Sequence, residues 1–370
     1  MLFWLINAII FGVYSLWGLI EKKNNKYLMI AFVHLCTIAT LRGAHVGSDT
    51  YRYTIDYLRI VDGVFNGSTI IEKNSVFYYY LRGVSLFLKK ANGYMIATAF
   101  PTVSIVFYII KKYSENYYAS IVIFLSSYLY FFSFNASRQF LAIAITMLAF
   151  DFTQRKKIVS SLVLYFMAIS IHNSTIVFGV FYIFHFIKWT IAKYMIMSIA
   201  TAIATVLKNQ FLSIFVAFFP KYRWIIKSSY LYKWSSSGKS SIILASYAAL
   251  AVLLCLYWIL SSNQIIVLII NNKRIECEST INKTQFLFEL MAMMTVTFVI
   301  NAFFPSVILF TRVSYTLFVY IIILLANSIE NIKGYKYLLL ALTLMPLIIY
   351  MIMKLNGNYS GVLEYYFFNG

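Results

Sequence analysis

Apolar runs of about 16–20 residues recur along the whole chain, and each is long enough to cross a hydrocarbon core of roughly 30 Å as a helix. No other feature constrains the fold as strongly. A bilayer accepts only helices and closed barrels, because every backbone polar group must be satisfied within the protein. Of the 370 residues, 61% are hydrophobic and only 12% charged, whereas an ordinary soluble domain carries about 25% charged residues. The expected fold is all-α: a polytopic membrane protein forming a single membrane domain, 1–370, with no separate soluble domain. The first run, MLFWLINAIIFGVYSLWGLI, lacks a basic leader and a small-residue cleavage site, so it reads as a retained first helix rather than a signal peptide.

About 12 spans are predicted, near 2–20, 27–41, 94–110, 118–134, 138–152, 158–171, 174–187, 191–207, 241–260, 284–303, 308–327 and 335–353. Six intervening segments are short and basic: 21–26, 111–116, 154–157, 188–193, 271–283 and 327–336. Short basic loops stay in the cytoplasm, which puts both termini outside. Segment 75–90, SVFYYYLRGVSLFLKK, would make a thirteenth span. Arg82 and Gly83 interrupt it, however, and counting it would move 154–157 outside. It reads better as an amphipathic helix on the outer surface, within a large outer loop 42–93. A second large outer loop covers 208–240.

The net charge is +19, from 31 Lys and Arg against 12 Asp and Glu. On this topology 15 of the 31 basic residues lie in the inner loops and 16 on the outer side. Topology accounts for the first group. An anionic substrate on the outer face would account for the second, although for the Lys-rich stretch 208–239 lipid head groups serve equally well. Both outer loops are also rich in aromatic residues, as in Phe218-Phe219-Pro220-Lys221-Tyr222-Arg223-Trp224. Interfacial aromatics anchor a protein to the bilayer and also stack on sugar rings, and the sequence does not separate the two roles.

Four polar clusters interrupt the apolar pattern, all expected on one side of the bilayer. Charged groups at a membrane boundary are costly and mark functional sites. The first cluster is Arg42 to Thr54, RGAHVGSDTYRYT. Gly47 permits a sharp turn, and Ser48 can cap a helix starting near Asp49. Asp49, Arg52, Tyr53 and Asp56 then share one face, with Arg42 and His45 just upstream. In the second cluster Arg138, followed by Gln139, starts a helix, where the dipole favours anions over cations; a bound anion resolves that conflict, as does snorkelling to lipid phosphate. The third holds His172, a base near neutral pH or a hydrogen-bonded structural residue. The fourth is Arg312, one turn into an apolar helix with Tyr315 on the same face. Glu289, the one acid placed inside a span, lies nearer the inner end, so a bound anion is the favoured partner of Arg312.

These clusters resemble known motifs. RGAHVGSDTYRY is similar to the R-x-x-x-x-G-x-D-T-x-x-Y signature of the EpsG-like branch of Wzy-type polysaccharide polymerases. FNASRQFLAIAITML resembles that family's second motif, with Arg138 and Gln139, and SIHNSTIVF its third, with His172. TRVSYTLFVYIIILL resembles its late Arg/Tyr helix, with Arg312 and Tyr315. The resemblance covers most of the chain in the expected order; the loop 208–240 matches no such pattern, and Arg223 is carried over only by its place in it. It implies a GT-C-like polymerase architecture in the bacterial inner (cytoplasmic) membrane, with the active site facing the periplasm or exterior. The implied substrate is an undecaprenyl-diphosphate-linked oligosaccharide, transferred onto a lipid-linked repeat unit. Membrane lipid and a chain-length regulator are the other implied partners, with no nucleic acid.

The residues suit that chemistry. A sugar hydroxyl attacks an anomeric carbon and a lipid diphosphate departs already charged, so cationic stabilisation matters more than a protonating acid. Arg provides it bidentately, and Arg42, Arg138 and Arg312 are the candidates. His172 or Asp49 would serve as base. His45, Tyr53, Gln139, Arg223 and Tyr315 complete the candidate binding set. Cys36, Cys255 and Cys277 show no disulfide or zinc spacing. Glu276-Cys277-Glu278, the nearest approach to an Asp-x-Asp site, falls in an inner loop, so a metal-independent reaction without cofactors is expected. A flippase or other transporter would want ionisable groups along a mid-membrane path, and an O-antigen ligase would share the diphosphate chemistry. A membrane acyltransferase would want a stronger His motif.

Overall fold

The computed structural model describes residues 2–64, 71, 75–210, 214, 217, 237–261, 278–304, 308–332 and 334–368. Arg223 and Cys277 lie outside them, as does most of the loop 208–240. Helical structure stands at each of the twelve segments predicted above, and no strand occurs among the described residues. Among the described residues, five helices are long and apolar enough to cross a membrane, or up to seven if each of two bent pairs makes one span. The other described helices are shorter or less apolar, so length and composition alone do not mark twelve spans among the described residues.

The chain divides into two compact units, 1–176 with 333–370, and 177–332. The first holds α1 (Leu2–Ile20), α2 (Asn25–Thr40), α3 (Thr50–Val61), α4 (Ser75–Ser85), α5 (Asn92–Tyr113), α6 (Tyr117–Ser126), α7 (Leu129–Asn135), α8 (Ser137–Gln154) and α9 (Ile158–Ile171), and it takes back α16 (Lys336–Asn356). Side-chain caps start two of them: Asn24 accepts from the Tyr27 amide and Asn116 from that of Ala119, each satisfying a donor the helix itself leaves open. The span expected over 118–134 is broken into α6 and α7, bent by 49°. The break falls at Tyr128, whose φ of +68° lies in the left-handed region that L-residues avoid at about 1–2 kcal/mol.

Helix α8 is the centre of this unit. It is buried nearly all round, as a helix apolar on every face must be, and it packs against α5 and α9. The two outer-loop helices dock on the same core: Tyr57 and Ile60 of α3 and Phe77 and Leu81 of α4 cluster with Tyr94, Leu141, Ala142 and Ile171. In α4 the buried pair is spaced i, i+4 while Tyr79 is exposed, so the helix is amphipathic, and its eleven residues are too few to span.

The second unit contains α10 (Gly179–Phe186), α11 (Ile191–Val206), α12 (Ser237–Ser261), α13 (Glu278–Phe303), α14 (Ile308–Phe318) and α15 (Ile321–Asn331). Helix α13 packs against α10, α11, α12 and α14. The span expected over 308–327 is a second bent pair, α14 with α15, again at 49°. Glu289 is fully buried on α13, where its carboxylate meets His185 Nδ1 at 2.9 Å and accepts from Gln285. A buried carboxylate requires such partners.

Glu289 is not the only buried acid in a helix. Asp151 of α8 is buried in the first unit and held by Lys112, Arg155 and the Tyr113 hydroxyl. It falls inside the span expected over 138–152, so the expectation that Glu289 is the one acid within a span is corrected. Lys112 and Arg155, ascribed above to topology alone, are therefore also ion-pair partners.

Candidate functional site

The loop Leu41–Asp49 and the turn between α7 and α8 meet at one end of the first unit. Arg42 is the hinge between them. Its guanidinium is fully buried and donates to the carbonyls of Ala39, Val46 (3.2 Å) and Phe134 (3.3 Å). It also lies over the Phe134 ring at 4.7 Å. Ala39 and Phe134 sit in the last turns of α2 and α7, where unsatisfied carbonyls carry partial negative charge. Two helix ends thus replace a counter-ion, and among the described residues Arg42 forms no ion pair. Burial pushes its pKa down to about 10, so it stays charged at neutral pH. In this arrangement Arg42 ties the loop down and has no open side for an anion.

Gly47 turns the loop at φ +105°. A Cβ there would lie 2.5 Å from Thr50 Oγ1 and 2.6 Å from the Phe134 carbonyl, so the position requires glycine for both conformation and space. Helix α3 starts at Thr50 with Asp49, not Ser48, at its N-cap, and the Asp49 side chain makes no capping bond. Ser48 stands one residue further out, its amide donating to the Ser360 carbonyl (3.0 Å).

The second motif comes to the same place. Asn135 Oδ1 accepts from the Asp49 amide (2.9 Å), and Thr50 Oγ1 donates to the Phe134 carbonyl (2.9 Å). Tyr53 stacks on Tyr94 with centroids 5.4 Å apart, and the Tyr94 hydroxyl bonds Ser137 Oγ at 2.7 Å. Arg138 lies over the outer side of this stack, its guanidinium carbon 6.0 Å from the Tyr53 centroid. Arg138 is half-buried, and its Nε is buried with no hydrogen-bond partner among the described residues. Gln139 is buried beside it. Of the face expected on α3, Asp49 and Tyr53 are half-buried and Arg52 is exposed, while Asp56 is buried and pairs with Arg59 at 3.8 Å. His45 is exposed and stacks on Tyr51 at 4.3 Å.

His172 caps α9 next to Ile171, a member of the core cluster that holds α3 and α5. Its Nδ1 receives the Ser174 amide at 3.3 Å and contacts Ser174 Oγ at 2.8 Å. A backbone N–H aimed at Nδ1 makes that nitrogen an acceptor, so the neutral ring carries its proton on Nε2. In the second unit Arg312 is half-buried on α14, Tyr315 is buried one turn on, and Thr311 Oγ1 bonds Ser241 Oγ of α12 at 2.6 Å. The first two clusters thus meet in the first unit, His172 lies in the same unit beside a member of its core cluster, and Arg312 with Tyr315 belongs to the second.

The expectations above did not include the C-terminal tail. Residues 357–368 return to the loop and pair with it: Gly43 donates to the Tyr366 carbonyl (2.8 Å), Gly47 to that of Gly361 (2.8 Å), and Phe368 to that of Leu41 (2.9 Å). The one available sign was the Tyr/Phe-rich ending EYYFF, which also reads as an interfacial anchor. Below the loop, an apolar cavity of about 410 Å³ is lined by Trp4 and Leu5 of α1, Ile38 of α2, Phe131 of α7 and Ile352 of α16.

Several long apolar helices and a cluster of cationic and aromatic residues at their ends define a multi-pass membrane protein with a polar site at one end of a helical unit. The chain belongs to the EpsG family, matching the family model over residues 25–368, nearly its whole length. This is a family of Wzy-like polysaccharide polymerases. No curated protein and no solved structure matches the chain.

Proposed function

We propose that the protein transfers a growing glycan from undecaprenyl diphosphate onto the next lipid-linked repeat unit, at the outer face of the bacterial inner membrane. The observation that carries this reading is Arg138: a half-buried guanidinium at the start of an 18-residue helix, its Nε unpartnered among the described residues, beside the face of Tyr53. A helix N-terminus already favours phosphate, and a guanidinium added to it makes a diphosphate site.

In this reading Arg138 stabilises the departing diphosphate, Arg312 supplies positive charge for the anionic substrate from its own unit, and Arg42 shapes the loop that carries Asp49. Gln139 and Tyr315, both buried, support their neighbouring arginines. The exposed His45–Tyr51 pair offers a flat face to a sugar ring, Tyr53 between Tyr94 and Arg138 holds the guanidinium toward the substrate, and Arg223 adds positive charge from its loop. Asp49 is the base for the acceptor hydroxyl. His172, with its proton on Nε2, donates to a substrate oxygen. The apolar cavity receives the first isoprene units of a lipid carrier. The full set of helices makes twelve spans with GT-C-like connectivity, in one membrane domain. No metal is required, and a chain-length regulator acts alongside.

Two consequences are measurable with the lipid-linked repeat unit that accumulates in a deletion strain, extracted and supplied to membranes. Asp49→Asn lowers turnover by about 10²–10⁴-fold, the usual worth of a general base, while His172→Gln, which keeps a donor, loses far less. Equal losses in the two variants would remove the distinction between base and donor. Leu5→Trp with Ile352→Trp fills the cavity and raises the KM for the lipid-linked unit severalfold; an unchanged KM would place the lipid elsewhere.

Gene deletion tests the function itself. The expected phenotype is loss of the long glycan ladder on a gel, with a single repeat unit still delivered. Loss of even the single repeat would point to flipping or ligation instead.

A further inference from the structure

We propose that the C-terminal segment 357–368 is part of the catalytic surface, acting as a strap that holds the loop 41–49 in its working shape, with Tyr366 as a positioning residue. Its contacts are specific and continuous. The backbone pairs with the loop at both ends, from Leu41 with Phe368 to Ser48 with Ser360, with Gly43 and Gly47 bonded between them. The Tyr366 hydroxyl accepts the His45 amide (3.0 Å), and the Tyr365 hydroxyl donates to the Ile38 carbonyl (2.8 Å).

The fit is close enough to specify residues. A Cβ on Gly43 would lie 1.9 Å from the Tyr366 ring, and one on Gly361, at φ +65°, would lie 2.9 Å from the Ser48 amide nitrogen. The strap is itself anchored to α1: Tyr365 stacks on Phe3 at 3.8 Å, and Trp4 Nε1 donates to the Val362 carbonyl at 2.7 Å. The loop has no regular element between Leu41 and Asp49, so its amides at 43, 47 and 48 depend on the tail for their partners. Such amides are costly to leave unpaired when buried. The family match runs through residue 368, so the strap lies within the length the family shares.

The inference rests on the reading of Asp49 and Arg138 as a catalytic pair, and the experiment separates the two. Variants of the full chain are assayed in membranes with the lipid-linked repeat unit from the deletion strain. Gly43→Ala, which drives a methyl into the Tyr366 ring, lowers kcat by about 10²-fold, the cost of misplacing a reacting group by about 1 Å, with little change in KM. Combining it with Tyr366→Ala removes the ring and restores part of the rate. Tyr366→Phe, which keeps the ring, stays close to the native rate. Removal of 357–370 exposes the buried Arg42 to trypsin.

If the double variant were no faster than Gly43→Ala alone, or if the truncated chain polymerised normally with Arg42 still protected, the strap would be refuted. Should truncation prevent membrane insertion, the Gly43/Tyr366 pair decides. If Arg138→Ala polymerised normally, the catalytic reading would fall, whereas the trypsin result would still report on the strap.

Discussion

Arg138→Ala lowers the rate of polymerisation by about 10²–10³-fold, the usual loss when one preorganised donor to a developing charge is removed, while the protein stays in the membrane at its normal level. The reason is geometric. Arg138 is half-buried, its Nε has no partner among the described residues, and its main neighbour is the face of Tyr53. Truncation therefore breaks no ion pair that holds the fold. Arg312→Ala gives a loss of the same order, because it removes the cation of the family's late Arg/Tyr motif. Arg138→Lys recovers only part of the rate, because an ammonium lacks the planar fork that matches phosphate oxygens. Glycan length on a gel, with membrane abundance measured in parallel, checks all three. Normal ladders in both alanine variants would sink the diphosphate assignment.

Arg42→Leu has the opposite signature: loss of structure first and of activity as a consequence. The buried guanidinium serves the carbonyls of Ala39, Val46 and Phe134. Phe134 keeps the Thr50 hydroxyl, but the carbonyls of Ala39 and Val46 lose their guanidinium donor; a buried acceptor left unpaired costs roughly 1–3 kcal/mol, so the first unit loses about 2–6 kcal/mol, large for a single substitution. Arg42→Lys does not rescue, because one ammonium cannot reach three carbonyls on different segments. The measurement is amide hydrogen exchange at Gly43, Gly47 and Ser48, whose amides bond to the tail. Protection is lost in both variants. Full protection in Arg42→Leu with a strongly raised KM would instead place Arg42 against the substrate, as the sequence alone had suggested.

Much of the architecture was legible in the sequence, because hydrophobicity in a bilayer is close to a one-dimensional code. Helical structure stands at all twelve predicted segments, and the motifs at Arg42–Tyr53 and Asn135–Gln139 come together. What was hidden were breaks and partners. Nothing in SSYLY announces that Tyr128 takes a left-handed conformation and bends the helix pair, since that strain is tolerated only where packing over-determines it. Asp151 was passed over because its partners Lys112 and Tyr113 lie on another helix, and periodicity along one helix says nothing about what faces it.

The chain by itself determined the class of fold, the places of its helices and the motifs of a polysaccharide polymerase family, because each of these follows from local composition or a short motif. Only the tertiary structure decided which arginine is buried and which is open. Arg42 and Arg138 look alike as sequence, yet one meets the carbonyl ends of two helices and the other stands at the start of a third. The tertiary structure also brought residues 357–368 back across more than 300 positions to clasp the first motif. Such pairing is made by backbone groups, which every residue carries, so no side-chain pattern foretells it.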